Sequence, residues 1–463
     1  MEPASPGRIN LVSFITDRLR QLSPSGRQTL PAHFVLALSS APQLMMVTYA
    51  PFLMTKTFQT DYWVPVLAAT FHAGNILAVV FSNRVQRSDK LGWVLWPNCI
   101  AFCLSFLLLP VRPSMDAYFA VIVMLMQLSR APVVSALSAL IKTNYRPAIR
   151  SWVMSMLVSA QMLAIGAYSF LAGQALEHSE QWLGPLYAVA GGIGLVGLWN
   201  FSRLRLRKEA AAAARPEPGT TRVSLWEQFC ILGRDRGFRN FEVSFMLFGA
   251  GNLALATIFP LYLKAEFNAS YEQAATALQT LPTLITFLML PVWGMWLDRN
   301  NPLVMRFRIN VLLMLVPIIY YFSRSMPAIY GGVLVTGLMQ GGGMLIWILG
   351  VNYYARSRDI ALYMGLHQSL TGMRGVTMPF IAYTLGSWLG YRQTMLVWAA
   401  MMGAGALILQ REIGRERRLG ILRNFEEREA QHQQADAREA DAGKSRPVSP
   451  DEEASGDDAP FGR

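Results

Sequence analysis

Charge and cysteine are both scarce in this chain. Only 15% of its 463 residues are Asp, Glu, Lys or Arg, while 53% are hydrophobic. A soluble domain averages about 25% charged residues. Three cysteines exclude a disulfide scaffold. Cys99 and Cys103 are four apart in an apolar run and share a helix face, but two thiols make a poor metal site, so both read as buried packing residues and no metal site is expected. Enzyme signatures are missing as well: the spans hold no His-x-x-x-His, no Gly-x-Ser-x-Gly and no paired acids, so the chain does not read as an enzyme. Gly249-Ala250-Gly251, Gly191-Gly192-Ile193-Gly194 and Gly341-Gly342-Gly343 lie inside apolar runs, where small residues let helices approach, rather than after a strand. Ala442-Gly443-Lys444-Ser445 lacks the first glycine of a phosphate loop, and no cofactor is expected. The net charge of +12 resides in short loops between apolar runs, which argues against a nucleic-acid partner.

Apolar stretches dominate what is present. Each is long enough to cross roughly 30 Å of hydrocarbon. Spans are predicted near 34–55, 62–82, 91–111, 117–141, 152–175 and 183–202, then near 241–263, 273–296, 307–323, 327–352, 361–386 and 392–410. The implied fold is all-α and integral to the lipid bilayer, with twelve transmembrane helices in two pseudo-symmetric six-helix bundles at 31–202 and 240–411. Residues 203–239 read as a cytoplasmic connecting loop, and 412–463 as a charged, disordered cytoplasmic tail. The first 30 residues lack a signal peptide's apolar core. Ile9, Val12, Ile15, Leu19 and Leu22 fall near helical spacing, which fits an amphipathic surface helix or a disordered lead-in. Twenty Lys and Arg fall on the loops of one side against five on the other, so both termini are expected in the cytoplasm. The halves echo each other: Arg146, Met154 and Ser159 recur as Arg356, Met364 and Ser369, and Asn83-Arg84 falls where Asp298-Arg299 lies in the second half.

This plan resembles the major facilitator superfamily. The most specific local match is Gly294-Met295-Trp296-Leu297-Asp298-Arg299, similar to that family's Gly-x-x-x-Asp-Arg motif. Its mate in the first half departs from the pattern at Asn83, and the Gly-rich antiporter signature of the fifth helix is missing. The resemblance implies alternating access, with Gly294, Asp298 and Arg299 in gating and Asp298 near Arg150 and Ser151 at the start of the fifth helix.

Polar residues within the spans are the candidates for solute binding. Arg130 and Arg374 lie deep in the fourth and eleventh spans, where a retained arginine faces a cavity or a partner. His367, Thr371, Arg374 and Met378 share one helix face, as do Thr336, Gln340, Gly343 and Trp347 on the tenth span. Acids are confined to span ends at Asp116 and Glu242, which leaves His367 and His72 as candidates to carry a proton. The expectation is a monomeric secondary active or facilitative transporter of a small, anionic solute, in a bacterial inner membrane. The alternative is a non-transporting sensor or scaffold that keeps the fold and signals through its tail.

Overall fold

The computed structural model describes residues 19–87, 95–109, 112–205, 225–356 and 359–423, with isolated positions at 16, 427, 431 and 434. All regular elements among them are helical. The first half comprises α1 (Pro24–Lys56), α2 (Trp63–Arg87), α3 (Trp96–Leu104, extended by a 3-10 turn to Leu108), α4 (Asp116–Leu128), α5 (Ala131–Asn144), α6 (Pro147–His178) and α7 (Leu183–Ser202). A short α8 (Leu225–Arg234) leads into the second half. There follow α9 (Arg236–Phe267), α10 (Tyr271–Ala275), a π turn (Thr276–Thr280), α11 (Leu281–Arg299), α12 (Pro302–Phe322), α13 (Met326–Tyr354), α14 (Ile360–Leu389) and α15 (Tyr391–Arg418).

Nine helical stretches among the described residues are long and apolar enough to cross a membrane, and Trp63–Leu77 and Trp96–Leu108 are shorter apolar helices. At about 1.5 Å per residue, the 30 residues of α14 also suffice for the hydrocarbon. The twelve-helix, two-bundle plan fits this architecture. Its fourth unit is broken: Pro132, which lacks an N–H, separates α4 from α5 at Ser129 and Arg130. Side chains cap several helix starts. Asp235 accepts from Phe238 N at 2.9 Å ahead of α9, Asn301 accepts from Leu303 and Val304 ahead of α12, and Ser270 with Gln273 forms a capping box on α10.

Packing repeats between the halves. α1 lies on α7 as α9 lies on α15, and α2 lies on α5 as α11 lies on α13. The halves meet along two seams, α2 against α14 and α6 against α10 and α11. Glycine permits the first seam: a Cβ on Gly375 would run into the His72 ring and one on Gly372 into Ile76. Side-chain hydrogen bonds between the halves gather at one end. Tyr49 donates to the Tyr271 carbonyl at 2.7 Å, Tyr271 N donates to Glu177 at 2.8 Å, and the Tyr271 hydroxyl bonds Thr57 at 2.8 Å and also Glu180.

Several boundaries differ from the sequence reading. α1 begins at Pro24 rather than near 34, behind a Ser23 cap, and the amphipathic pattern from Ile9 lies mostly outside the described residues. The linker read as loop contains α8, packed on α9 and α14. The last helix runs on to Arg418, because Glu412 and Glu416 are buried against Asn240, Tyr353, Tyr354 and Arg415 rather than solvated in a tail. Cys103 is exposed and Cys99 half-buried, so Cys103 does not pack in the core.

Candidate functional site

A cavity of about 640 Å³ lies between the halves. The first half contributes Thr48 and Pro51 of α1, Phe71 and His72 of α2 and Gln127 of α4. Most of the wall comes from the second half. Phe245, Phe248 and Asn252 lie on α9, and Gln279 on the π turn, a widened turn that often marks functional sites. Arg306 lies on α12, Thr336, Gln340, Gly343 and Trp347 on α13, and Thr371 and Arg374 on α14. Among the described residues, no Asp or Glu lines this cavity.

Arg374 sits midway along α14. Its Nη1 donates to the Phe245 carbonyl at 2.9 Å and its guanidinium stands 5.2 Å from the Phe245 ring centre. Gly249 makes room, since a Cβ there would overlap the guanidinium. Glu242 lies within Coulombic range of Arg374. Arg306, 7% exposed, stacks 4.7 Å from Phe245 and 5.3 Å from Phe248. The two arginines, which repel each other, thus share one aromatic ring and lie within about 10 Å of one another. Unlike Arg374, Arg306 has no hydrogen-bond acceptor among the described residues; the Nε atoms of both are buried without a partner. A ring face attracts the charge but does not take up a guanidinium's in-plane N–H groups, and a buried donor left unpaired costs about 1–3 kcal/mol. The cavity wall therefore presents a buried cationic donor to whatever enters it.

Behind the wall lies a second polar pair. His367 Nδ1 and Glu242 Oε1 are 2.7 Å apart, both groups essentially inaccessible, with the imidazole against Phe245 at 4.5 Å and Trp347 at 5.3 Å. Glu242 Oε2 and His367 Nε2 have no further partner. Here the structure corrects the sequence reading: Glu242 is not at a span end but in the second turn of a helix that starts at Arg236, so one buried acid does oppose Arg374.

Of the residues singled out in the sequence, Arg374, Thr371, Gln340, Trp347 and His72 line the cavity. His367 does not; it is enclosed beside Glu242. Arg130 stands half-buried at the break between α4 and α5 and is not part of this wall. Gly294 lies in α11 with open space about it, whereas the side chains of Asp298, Arg299, Arg150 and Ser151 lie outside the described residues. Sequence reasoning missed Arg306, Glu242, Gln127, Asn252 and Gln279. Two of these carried a usable signal. Asn301-Pro302 is a cap followed by an N1 proline, which starts α12 five residues before the boundary read at 307 and brings Arg306 inside; the Asp235 cap starts α9 at Arg236 and moves Glu242 from the span end into the second turn.

Residues 241–430 match the family model described as Major Facilitator Superfamily. Comparison with curated proteins gives no match. Among solved structures, the chain is similar to a mutant of the nucleoside transporter NupG, with TM-score 0.68 and 10% identity, covering 83% of this chain and 99% of that one. It is also similar to a peptide transporter POT mutant in complex with alafosfalin, with TM-score 0.66 and 14% identity over 85% and 95% of the two chains. The human organic anion transporter MFSD10 gives TM-score 0.56 and 14% identity over 84% and 100%. At these identities the likeness is one of fold.

Proposed function

We propose that this chain, a multi-pass membrane protein belonging to the major facilitator superfamily, moves a small anionic solute across the membrane by alternating access. The observation that carries this reading is the pair of guanidinium groups on Phe245, in a cavity whose described lining holds no acid. A cation would be repelled there, and a neutral sugar would leave the Arg306 charge unbalanced. An anion offsets the repulsion between the two arginines, and a guanidinium offers the planar fork suited to carboxylate or phosphate. Glu242 offsets one of the two positive charges, leaving a net attraction for an anion. The buried Glu242–His367 pair is the natural place for a proton to be held if transport is coupled to one. Gating belongs to Asp298, Arg299 and Gly294, the residues of the family motif. Arginine-rich loops on one side support a bacterial inner membrane with both termini in the cytoplasm.

The test is uptake into reconstituted vesicles of a charge-matched set of solutes: carboxylates, phosphates, sugars and amines. Saturable uptake confined to the anions is expected. Saturable uptake of amines or sugars instead refutes the anionic reading, and absence of any uptake favours a non-transporting sensor or scaffold.

A further inference from the structure

We infer that the ligand is an organic monoanion without an ammonium group, and that Arg306 rather than Arg374 is its anchor; this rests on the anionic reading of the cavity given above. The two arginines are unequal. Arg374 is already engaged: it donates to the Phe245 carbonyl, fits the space left by Gly249, and lies in the field of Glu242. Arg306 is more than nine-tenths buried, lines the cavity, and stacks on the faces of Phe245 and Phe248 with no hydrogen-bond acceptor among the described residues. With Arg374 offset by Glu242, one unbalanced positive charge remains, which calls for one negative group. An amino acid or peptide would also bring an ammonium, and the described wall offers it no carboxylate. A bare inorganic anion would satisfy Arg306 but leave most of about 640 Å³ unfilled. Neutral amides at Gln127, Asn252, Gln279 and Gln340, set among aromatic rings, suit an uncharged organic body.

Three probes separate these possibilities by thermal shift and isothermal titration on the purified full-length protein. They are 3-phenylpropionate, its α-amino counterpart phenylalanine, and sulfate. The wild type should bind 3-phenylpropionate at least about tenfold more tightly than phenylalanine or sulfate, a lost charge-assisted hydrogen bond being worth about that factor or more. Arg306→Met should lose this preference while melting no lower than the wild type without ligand, because it removes a buried charge that has no partner. Arg374→Met should melt lower, since it removes the hydrogen bond to the Phe245 carbonyl and a positive charge near the buried Glu242. If phenylalanine or sulfate binds as well as 3-phenylpropionate, the monoanion inference is overturned while the anionic cavity stands. If Arg306→Met melts lower and binds 3-phenylpropionate as the wild type does, Arg306 is a structural residue and the anchor assignment falls. If none of the three binds the wild type, the anionic reading itself fails, and this inference with it.

Discussion

The two halves share a packing plan and differ in chemistry. In the first half, the cavity wall is neutral: Thr48, His72 and Gln127 among apolar side chains. In the second, Arg306, Arg374, Glu242 and His367 converge from α12, α14 and α9 onto Phe245. The family-model match also falls on the second half, residues 241–430. Repeated architecture therefore does not distribute function evenly. One bundle holds the charge, and the other supplies a surface against which it can be exposed or covered.

Substitutions can test that division, beginning with the largest effect. Arg374→Ala should bring anion uptake to background, a fall of about 100-fold or more, because it removes a guanidinium and leaves Glu242 buried with His367 as its partner. Near-normal vesicle uptake by a folded variant would show that the charge of the second half is structural. Glu242→Ala should cost about 3–5 kcal/mol of stability, since it strands His367 inside the bundle. Denaturation in detergent measures this, and a loss below about 1 kcal/mol would mean that the pair contributes little. Gly249→Ala should cost about 1–3 kcal/mol and dislodge Arg374, lowering uptake with it. The informative comparison is Gly194→Ala in the first half: its Cβ would overlap Phe102, so stability should fall while solute preference is unchanged.

Smaller effects are expected where the halves only touch. Tyr49→Phe removes the hydrogen bond to the Tyr271 carbonyl, worth about 1 kcal/mol, and should shift the conformational balance away from closure at that end. Cysteine accessibility in the loop at 268–270 would report the shift, and unchanged labelling would exclude a role in closure. Smallest of all, Gln127→Ala should raise the KM for uptake about threefold to tenfold without altering the preference for anions. Loss of that preference would show that the first half also selects charge.

The sequence already marked Arg374, Thr371, Gln340 and Trp347 as a polar face, because a helical period of 3.6 residues applies whatever the helix packs against. Their common cavity was not legible, since α13 and α14 meet it from different directions. Arg306 was left just outside its span and Glu242 at the edge of its own: hydropathy windows trim charged residues from helix ends, whereas caps at Asn301 and Asp235 start both helices earlier. His367 shared the face of Arg374 in sequence, yet in the structure it turns to Glu242 and leaves the cavity wall.

Alone, the sequence determined that this chain is an all-helical membrane protein whose two halves echo each other in a plan similar to that of the major facilitator superfamily. Those features depend on local quantities, namely apolar run length, loop charge and helical period, which act before any two helices meet. The tertiary structure decided which charges are neutralised. Glu242 and His367 are 125 positions apart and Arg374 reaches a carbonyl 129 positions away, so their partnerships arise only when α9 and α14 are packed together. Electrostatic balance in a low-dielectric interior is set by such close neighbours. Packing thus gives Arg374 a carbonyl acceptor and leaves Arg306 on ring faces, a distinction between two arginines that no run of sequence contains.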